Sequence, residues 1–346
     1  MMGKVEKILL IRNDRIGDLI LSLGVIKSIR QKYPDAQITF MASSTNAELL
    51  KKSKDIDRLL VHDNFWHKKS IQSFINYLRV IKKIRNEKFD IGIDLRGSAL
   101  NILFFLWAGG IGKRVAPIYY SSDSWAGSLL TNPVTINKWQ QKHSIMTLHE
   151  LLVKGFGSPF HINLPEIDVD DEDIDKVTDD LAENNLDIED YICICPGAGN
   201  NLQRWPGKNF DSLIKRLEEK GETIILVGGE PDRKLIEKLA KNNPTCLSLI
   251  NYNIRLLSLL FLYSKGVICN DGGPMHISWA SGARTLALWG PTIRAHVGPL
   301  NNSTVVQAQM PCYPCVREKG CSRPKEQRCM DKITVTEVMK EVKKWR

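Results

Sequence analysis

The feature that most limits what this chain can fold into is a rhythm. Short apolar runs recur along it, each closed by turn residues and followed by a segment with helical spacing. That alternation builds α/β domains with parallel sheets of βαβ units, not hairpins or a helical bundle. In the first half the runs predict strands near Lys7–Arg12, Gln37–Met41, Arg58–Val61, Asp90–Asp94 and Lys113–Ala116. A long amphipathic helix is expected near Asp18–Lys32, with others near Asn46–Lys52, Ser70–Asn86 and Ile145–Gly155. The second half repeats the pattern with strands near Tyr191–Cys195, Glu222–Val227, Leu247–Ile250, Gly266–Cys269 and Thr285–Leu288. The final "TVTEVMKEVKKWR" reads as a helix capped by Thr334 or Thr336.

A length of 346 residues suggests two domains. The boundary is expected near Pro159–Asp168, where a proline-flanked extended piece gives way to an acidic helical stretch. Charge divides at the same place. Residues 1–160 carry 24 Lys/Arg against 13 Asp/Glu, whereas residues 161–311 carry 14 against 21. The basic half is expected to meet something anionic, although any single cluster of it reads equally as a solvated helix face. No apolar run approaches a membrane span or a signal peptide, so a cytoplasmic protein is expected, with peripheral contact at the inner membrane as an addition. Nucleic-acid binding is ranked low: the basic half shows no recognisable module.

Two loops of the second half look built for phosphate. "NDGGPMHISWASG" follows a strand and opens a helix at Gly272-Gly273-Pro274, where backbone can approach a ligand closely and the first amides face it. Asp271 is a candidate cap or ligand contact, and His276 lies near the first turn. "CPGAGNNLQRWPGKNF" places Gly197 after another strand and ends in Arg204-Trp205-Pro206, with Trp205 read as a packing residue. After "LVGG", Glu230 and Asp232 are candidates for ribose hydroxyls, or else simply favour a helix N-terminus. In the first half the turn "IRNDRIGD" carries a carboxylate, Asp18, where a phosphate cradle would ordinarily sit. It reads either as a helix cap or as a general base for an acceptor hydroxyl.

Four stretches together resemble glycosyltransferase family 9, the heptosyltransferases of the bacterial lipopolysaccharide inner core: "ILLIRNDRIGDLILSLGVIKSIRQKYPDAQITFMAS", "CPGAGNNLQRWPGKNF", "VGGEPD" and "NDGGPMHISWASGARTLALWGPT". They span nearly the whole chain in the family's order. The resemblance implies a GT-B fold of two Rossmann-like domains facing each other: an acceptor domain over 1–163, a nucleotide-sugar domain over 164–331 and a terminal helix, 332–346, returning to the first. It implies inverting transfer from ADP-heptose to a phosphorylated, lipid-linked saccharide, with no cofactor required for catalysis. It puts the base on Asp18, the donor diphosphate on Asp271, Gly272 and Gly273 beside Met275 and His276, and the adenosine ribose on Asp232 or Glu230. Lys68, Lys69, Arg96 and Arg114 are the acceptor candidates at strand ends and loops. One position departs from the family pattern: Gln203 stands where a lysine would neutralise the departing diphosphate, with Arg204 beside it as a substitute. A different nucleotide-sugar donor, a protein acceptor, or a non-catalytic nucleotide-sugar-binding relative are the alternatives this leaves.

Near the end, Cys312, Cys315, Cys321 and Cys329 fall in one window with spacing that can close around a tetrahedral iron or zinc, against a reading as four reduced thiols. Some protein heptosyltransferases resembling this family hold iron with four cysteines. Cys193, Cys195, Cys246 and Cys269 read as buried packing residues.

Overall fold

The computed structural model describes residues 5–63, 71–119, 124–137, 142–315, 321–323 and 328–345. The chain divides into two compact units, Met1–Asp168 and Val169–Arg346.

In the first unit six strands form one parallel sheet: β1 (Lys7–Ile11), β2 (Gln37–Ala42), β3 (Arg58–Val61), β4 (Ile91–Asp94), β5 (Lys113–Tyr119) and β6 (Asn132–Ile136). Their order is β3-β2-β1-β4-β5-β6. The central strands are buried on both faces, as helices on either side of a parallel sheet require. The second unit repeats this with β7 (Tyr191–Cys195), β8 (Thr223–Gly228), β9 (Leu247–Ile250), β10 (Gly266–Asn270), β11 (Thr285–Trp289) and β12 (Ser303–Gln307), ordered β12-β11-β10-β7-β8-β9. In each sheet the strand order reverses beside the first strand, between β1 and β4 and between β7 and β10. The carboxyl ends of such a pair open a crevice where ligands of doubly wound sheets bind. The edge strands β6 and β12 go beyond the sequence expectation. β6 carries Pro133, tolerated at an edge that needs no further ladder bond, and β12 is only half-buried, so neither shows a clean apolar run.

The first helix, Ile16–Lys32, is buried on most of its surface rather than amphipathic. The reason is a strap. Residues 161–164 lie along its outer side, where a Cβ on Gly24 would stand 2.0 Å from the Asn163 carbonyl oxygen. Ser28 donates to the His161 carbonyl at 2.7 Å and Asn163 returns a bond to Ser28 at 3.0 Å. Lys27 pairs with Glu166 at 2.7 Å. The strap therefore belongs to the first unit.

The acidic helix Asp171–Glu183 opens with a capping box between Asp170 and Asp173. Asp173 also takes both arms of Arg255 at 2.6 and 2.8 Å, a buried ion pair to the helix Ile254–Leu262. The terminal helix Val335–Val342 is capped by Thr334 with Glu337. It packs in the core of the second unit. Val338, Met339 and Val342 join Trp205, Phe210 and Leu213 in one core, and Trp205 Nε1 donates to the Ile333 carbonyl at 2.9 Å. Trp205 is thus a packing residue. Cys193, Cys195 and Cys269 are buried and Cys246 is half-buried.

Candidate active site

At the carboxyl ends of β1 and β4 the first unit gathers three carboxylates around one guanidinium. Arg12 donates from Nε to Asp14 at 2.9 Å and from Nη1 to the Leu95 carbonyl at 2.7 Å, and its Nη2 lies 3.1 Å from Asp18 Oδ1. Asp94 ends β4, fully buried, and accepts from the amides of Ser98 at 2.7 Å and Arg96 at 3.3 Å. Asn101 donates to both Asn13 and Asp94, which closes the buried side of the cluster. Burial pushes the Asp94 carboxyl up to about 6 despite those donors. Burial also raises Asp14, against the pull of Arg12.

Of these acids Asp18 is the accessible one: its side chain is 38 % exposed, while Arg12 and Asp14 are 11 % exposed. The helix begins at Ile16 with Arg15 in the capping position, so Asp18 lies at the third helical residue and does not cap it. A carboxylate in the first turn still suits the helix dipole, and Arg12 fixes its direction. Arg96 reaches the same cluster, 3.8 Å from Asp14. Arg114 does not. It stands at the amino end of β5, its guanidinium held by the carbonyls of Leu129 and Ile111, both at 2.6 Å. A group spent on main-chain acceptors at the far end of the strands is a structural one. Lys68 and Lys69 lie outside the described residues.

The second unit builds its site the same way, at β7 and β10. Asn270, the last residue of β10, donates to the carbonyls of Pro196 and Gly197 at 2.9 and 3.1 Å and accepts from the Trp205 amide at 3.0 Å. It ties the two glycine-bearing loops into one wall. Asp271 is buried and accepts from Gln203 Nε2 and Thr292 Oγ1, both at 2.5 Å. Burial raises its carboxyl; the two neutral donors oppose that. Gly272 precedes the helix Gly273–Ala280, which places Pro274 at its second residue, where no intrahelical donor is missed. Met275 and His276 are buried in that helix. Arg204 donates to Asp232 at 2.9 Å and to the Ala198 carbonyl at 3.0 Å. Asp232 lies directly over Gly197, where a Cβ would come 2.1 Å from its carboxylate. Glu230 is more exposed, paired with Arg233 and Asn251. Thus Gly197, Gln203, Arg204, Asp232, Asp271, Gly272 and Gly273 come together.

Residues 77–325 match the family described as glycosyltransferase family 9 (heptosyltransferase). The chain belongs to that family. It is therefore an enzyme of the glycosyltransferase class, on two Rossmann-like units of GT-B type. A lipooligosaccharide heptosyltransferase 2 of Haemophilus ducreyi is 24% identical over 322 residues, 87% of this chain and 88% of that protein. The structure of Escherichia coli ADP-heptose lipopolysaccharide heptosyltransferase II superposes with a TM-score of 0.78 at 19% identity, over 98% of each chain. An Escherichia coli heptosyltransferase solved with ADP-2-deoxy-2-fluoro heptose gives 0.74 at 16% identity, over 98% of this chain and 99% of that one. These likenesses bear on fold.

Sequence reading missed Arg12, Asp14, Asp94, Asn101, Asn270 and Thr292. "IRND" and "ICND" each end a strand with an Asn-Asp pair, a signal that was there to be used. The pairing of distant residues such as Asn101 with Asn13 carries no local signal.

The four late cysteines line one cavity of about 30 Å³ with Pro291 and Met310. That is room for an ion-sized guest. Burial raises the Cys329 thiol, and the thiols of Cys321 and Cys312 add to it. Among the described residues no three His, Cys, Asp or Glu side chains stand where they would hold an ion.

Proposed function

We propose that this enzyme transfers a heptose from ADP-heptose to a hydroxyl of a phosphorylated, lipid-linked core saccharide, with inversion at the anomeric carbon. The observation that carries the reading is Asp18: the exposed member of a carboxylate cluster, on a β1 turn, with one oxygen held by Arg12. The other oxygen takes the proton of the acceptor hydroxyl as that oxygen attacks the anomeric carbon. The bond from that carbon to the diphosphate breaks, and the electron pair leaves on ADP. The amides at Gly272 and Gly273 and the guanidinium of Arg204 receive the charge that grows there. Asp232 or Glu230 accepts from the ribose hydroxyls. Arg96, beside Asp14, meets the acceptor's phosphate.

Gln203 supplies a hydrogen bond but no charge, so the leaving group is stabilised here by backbone dipoles more than by a cation. The experiment is a set of thermal-unfolding midpoints with ADP, UDP, GDP and CMP, followed by product analysis with ADP-heptose and lipid-linked core acceptors. Selective stabilisation by ADP and product formation support the reading. Preference for UDP or GDP overturns the donor, and product on a protein acceptor alone overturns the saccharide.

Four thiols lining one cavity are the donor set of a structural iron or zinc ion, which would draw Cys312, Cys315, Cys321 and Cys329 closer together than they stand here. Metal analysis of purified protein tests this: stoichiometric metal that is lost on Cys315→Ser, with a lower melting midpoint, is expected. Metal-free protein of undiminished stability contradicts it.

A further inference from the structure

The helix Ile71–Glu87 presents a face that no described residue of its own unit covers. Its inner side is firmly seated: Tyr77 and Ile84 are buried in a core with Ile102, Phe105 and Leu106. The outer side is exposed and carries Arg79, Lys82, Lys83 and Arg85, followed by Lys88 just beyond the helix end. Set among them are two large apolar side chains, Ile75 at 38 % and Leu78 at 49 % exposure. By helical spacing residues 75, 78, 79, 82 and 86 share one stripe. The helix contains a single acid, Glu87, and that carboxylate is already paired with Arg58 at 2.9 Å and Lys7 at 3.5 Å. Next to the helix, the turn after Trp107 abuts it: a Cβ on Gly109 would meet Ile84 at 2.7 Å, and one on Gly110 would meet Arg85 at 3.8 Å. Trp107 itself is 52 % exposed.

We propose that this face docks on an anionic lipid bilayer, with Ile75 and Leu78 entering the boundary between headgroups and acyl chains and the cations pairing with lipid phosphates. Cations alone would suit any polyanion. Two exposed aliphatic side chains inside the basic stripe gain nothing from a nucleic-acid backbone, but they bury apolar area in a lipid interface. Trp107, exposed just before the turn that abuts the helix at Ile84 and Arg85, is a residue type found at that depth. The inference stands on this surface and does not depend on which sugar or acceptor the enzyme uses.

The test is sedimentation of the full chain with vesicles of phosphatidylethanolamine and phosphatidylglycerol, against vesicles of phosphatidylcholine. Binding to the anionic vesicles, released by salt, is expected. Each lysine near the surface is worth roughly fivefold, so Lys82→Gln with Lys83→Gln lowers the partition coefficient by about 25-fold. Leu78→Ser lowers it further, and Lys238→Gln on the second unit leaves it unchanged. Melting midpoints equal to wild type show that the exposed-face variants are folded. Equal binding to neutral vesicles, undiminished binding of the variants, no vesicle binding at all, or binding of a short DNA duplex instead would each overturn the proposal.

Discussion

Gln203 donates its side-chain amide to the carboxylate of Asp271 at 2.5 Å, across the two loops that end β7 and β10. Thr292 donates to the same oxygen, so among the described residues the buried acid after β10 is held by two neutral groups. Gln203→Lys should place a positive charge on Asp271 and beside the leaving diphosphate. The expected result is ADP affinity raised by roughly fivefold, about 1 kcal/mol, as a charged hydrogen bond replaces a neutral one. Calorimetric titration with ADP checks this, and an unchanged dissociation constant would show that position 203 does not face the phosphates.

Asp94 gives the first unit a pH dependence of defined sign. Its ordinary value is 3.8 and burial pushes it up to about 6. Between those values the native state binds the proton that the unfolded chain has released. Stability is therefore fully present below about pH 4 and declines as pH rises through 6, by about 3 kcal/mol for a two-unit displacement. Asp94→Asn should remove that slope from urea unfolding measured across pH 4 to 7. A variant with the wild-type slope would place the titration elsewhere.

Arg12 is the shared partner of Asp14, Asp18 and the Leu95 carbonyl. Arg12→Ala leaves the buried Asp14 with only the more distant Arg96 as counter-charge, a loss of about 3 kcal/mol. Arg12→Lys is the more informative change, because it keeps charge but not the fork that grips two carboxylates at once. Its turnover should fall by tenfold or more while the melting midpoint falls only slightly. Equal effects on both would make Arg12 a structural residue only.

Gly24 admits the strap over the first helix. Gly24→Ala would push a methyl into the Asn163 carbonyl, main chain against side chain, with no flexible group to yield. A destabilisation of about 2 kcal/mol is expected, despite alanine's better helix propensity. Denaturant unfolding decides the sign; a stabilised variant would mean the strap moves freely.

Much of the fold was legible because its central strands are continuous apolar runs ending in Asn-Asp or Pro-Gly, the form that a strand covered on both faces must take. The glycine loops and Asp18 were legible for the same reason: they sit at strand ends. Three things were not. The edge strands β6 and β12 lack an apolar run because one of their edges needs no partner. The first helix reads as amphipathic until Asn163, more than a hundred residues away, covers its outer side. Arg114 reads as a ligand-facing cation, yet carbonyls at 111 and 129 consume it. Each depends on how the chain is placed in the fold, which local spacing does not encode.

The central claim is that Asp18 takes the acceptor's proton. The most direct measurement is the transfer rate of Asp18→Asn, with the thermal shift by ADP recorded on the same protein. Loss of a general base costs a hundredfold or more, and ADP at about 100 times its dissociation constant still adds roughly 2.7 kcal/mol if the second unit is intact. A turnover reduced to that degree, with the ADP shift unchanged, is the predicted result. Turnover within threefold of wild type would contradict it.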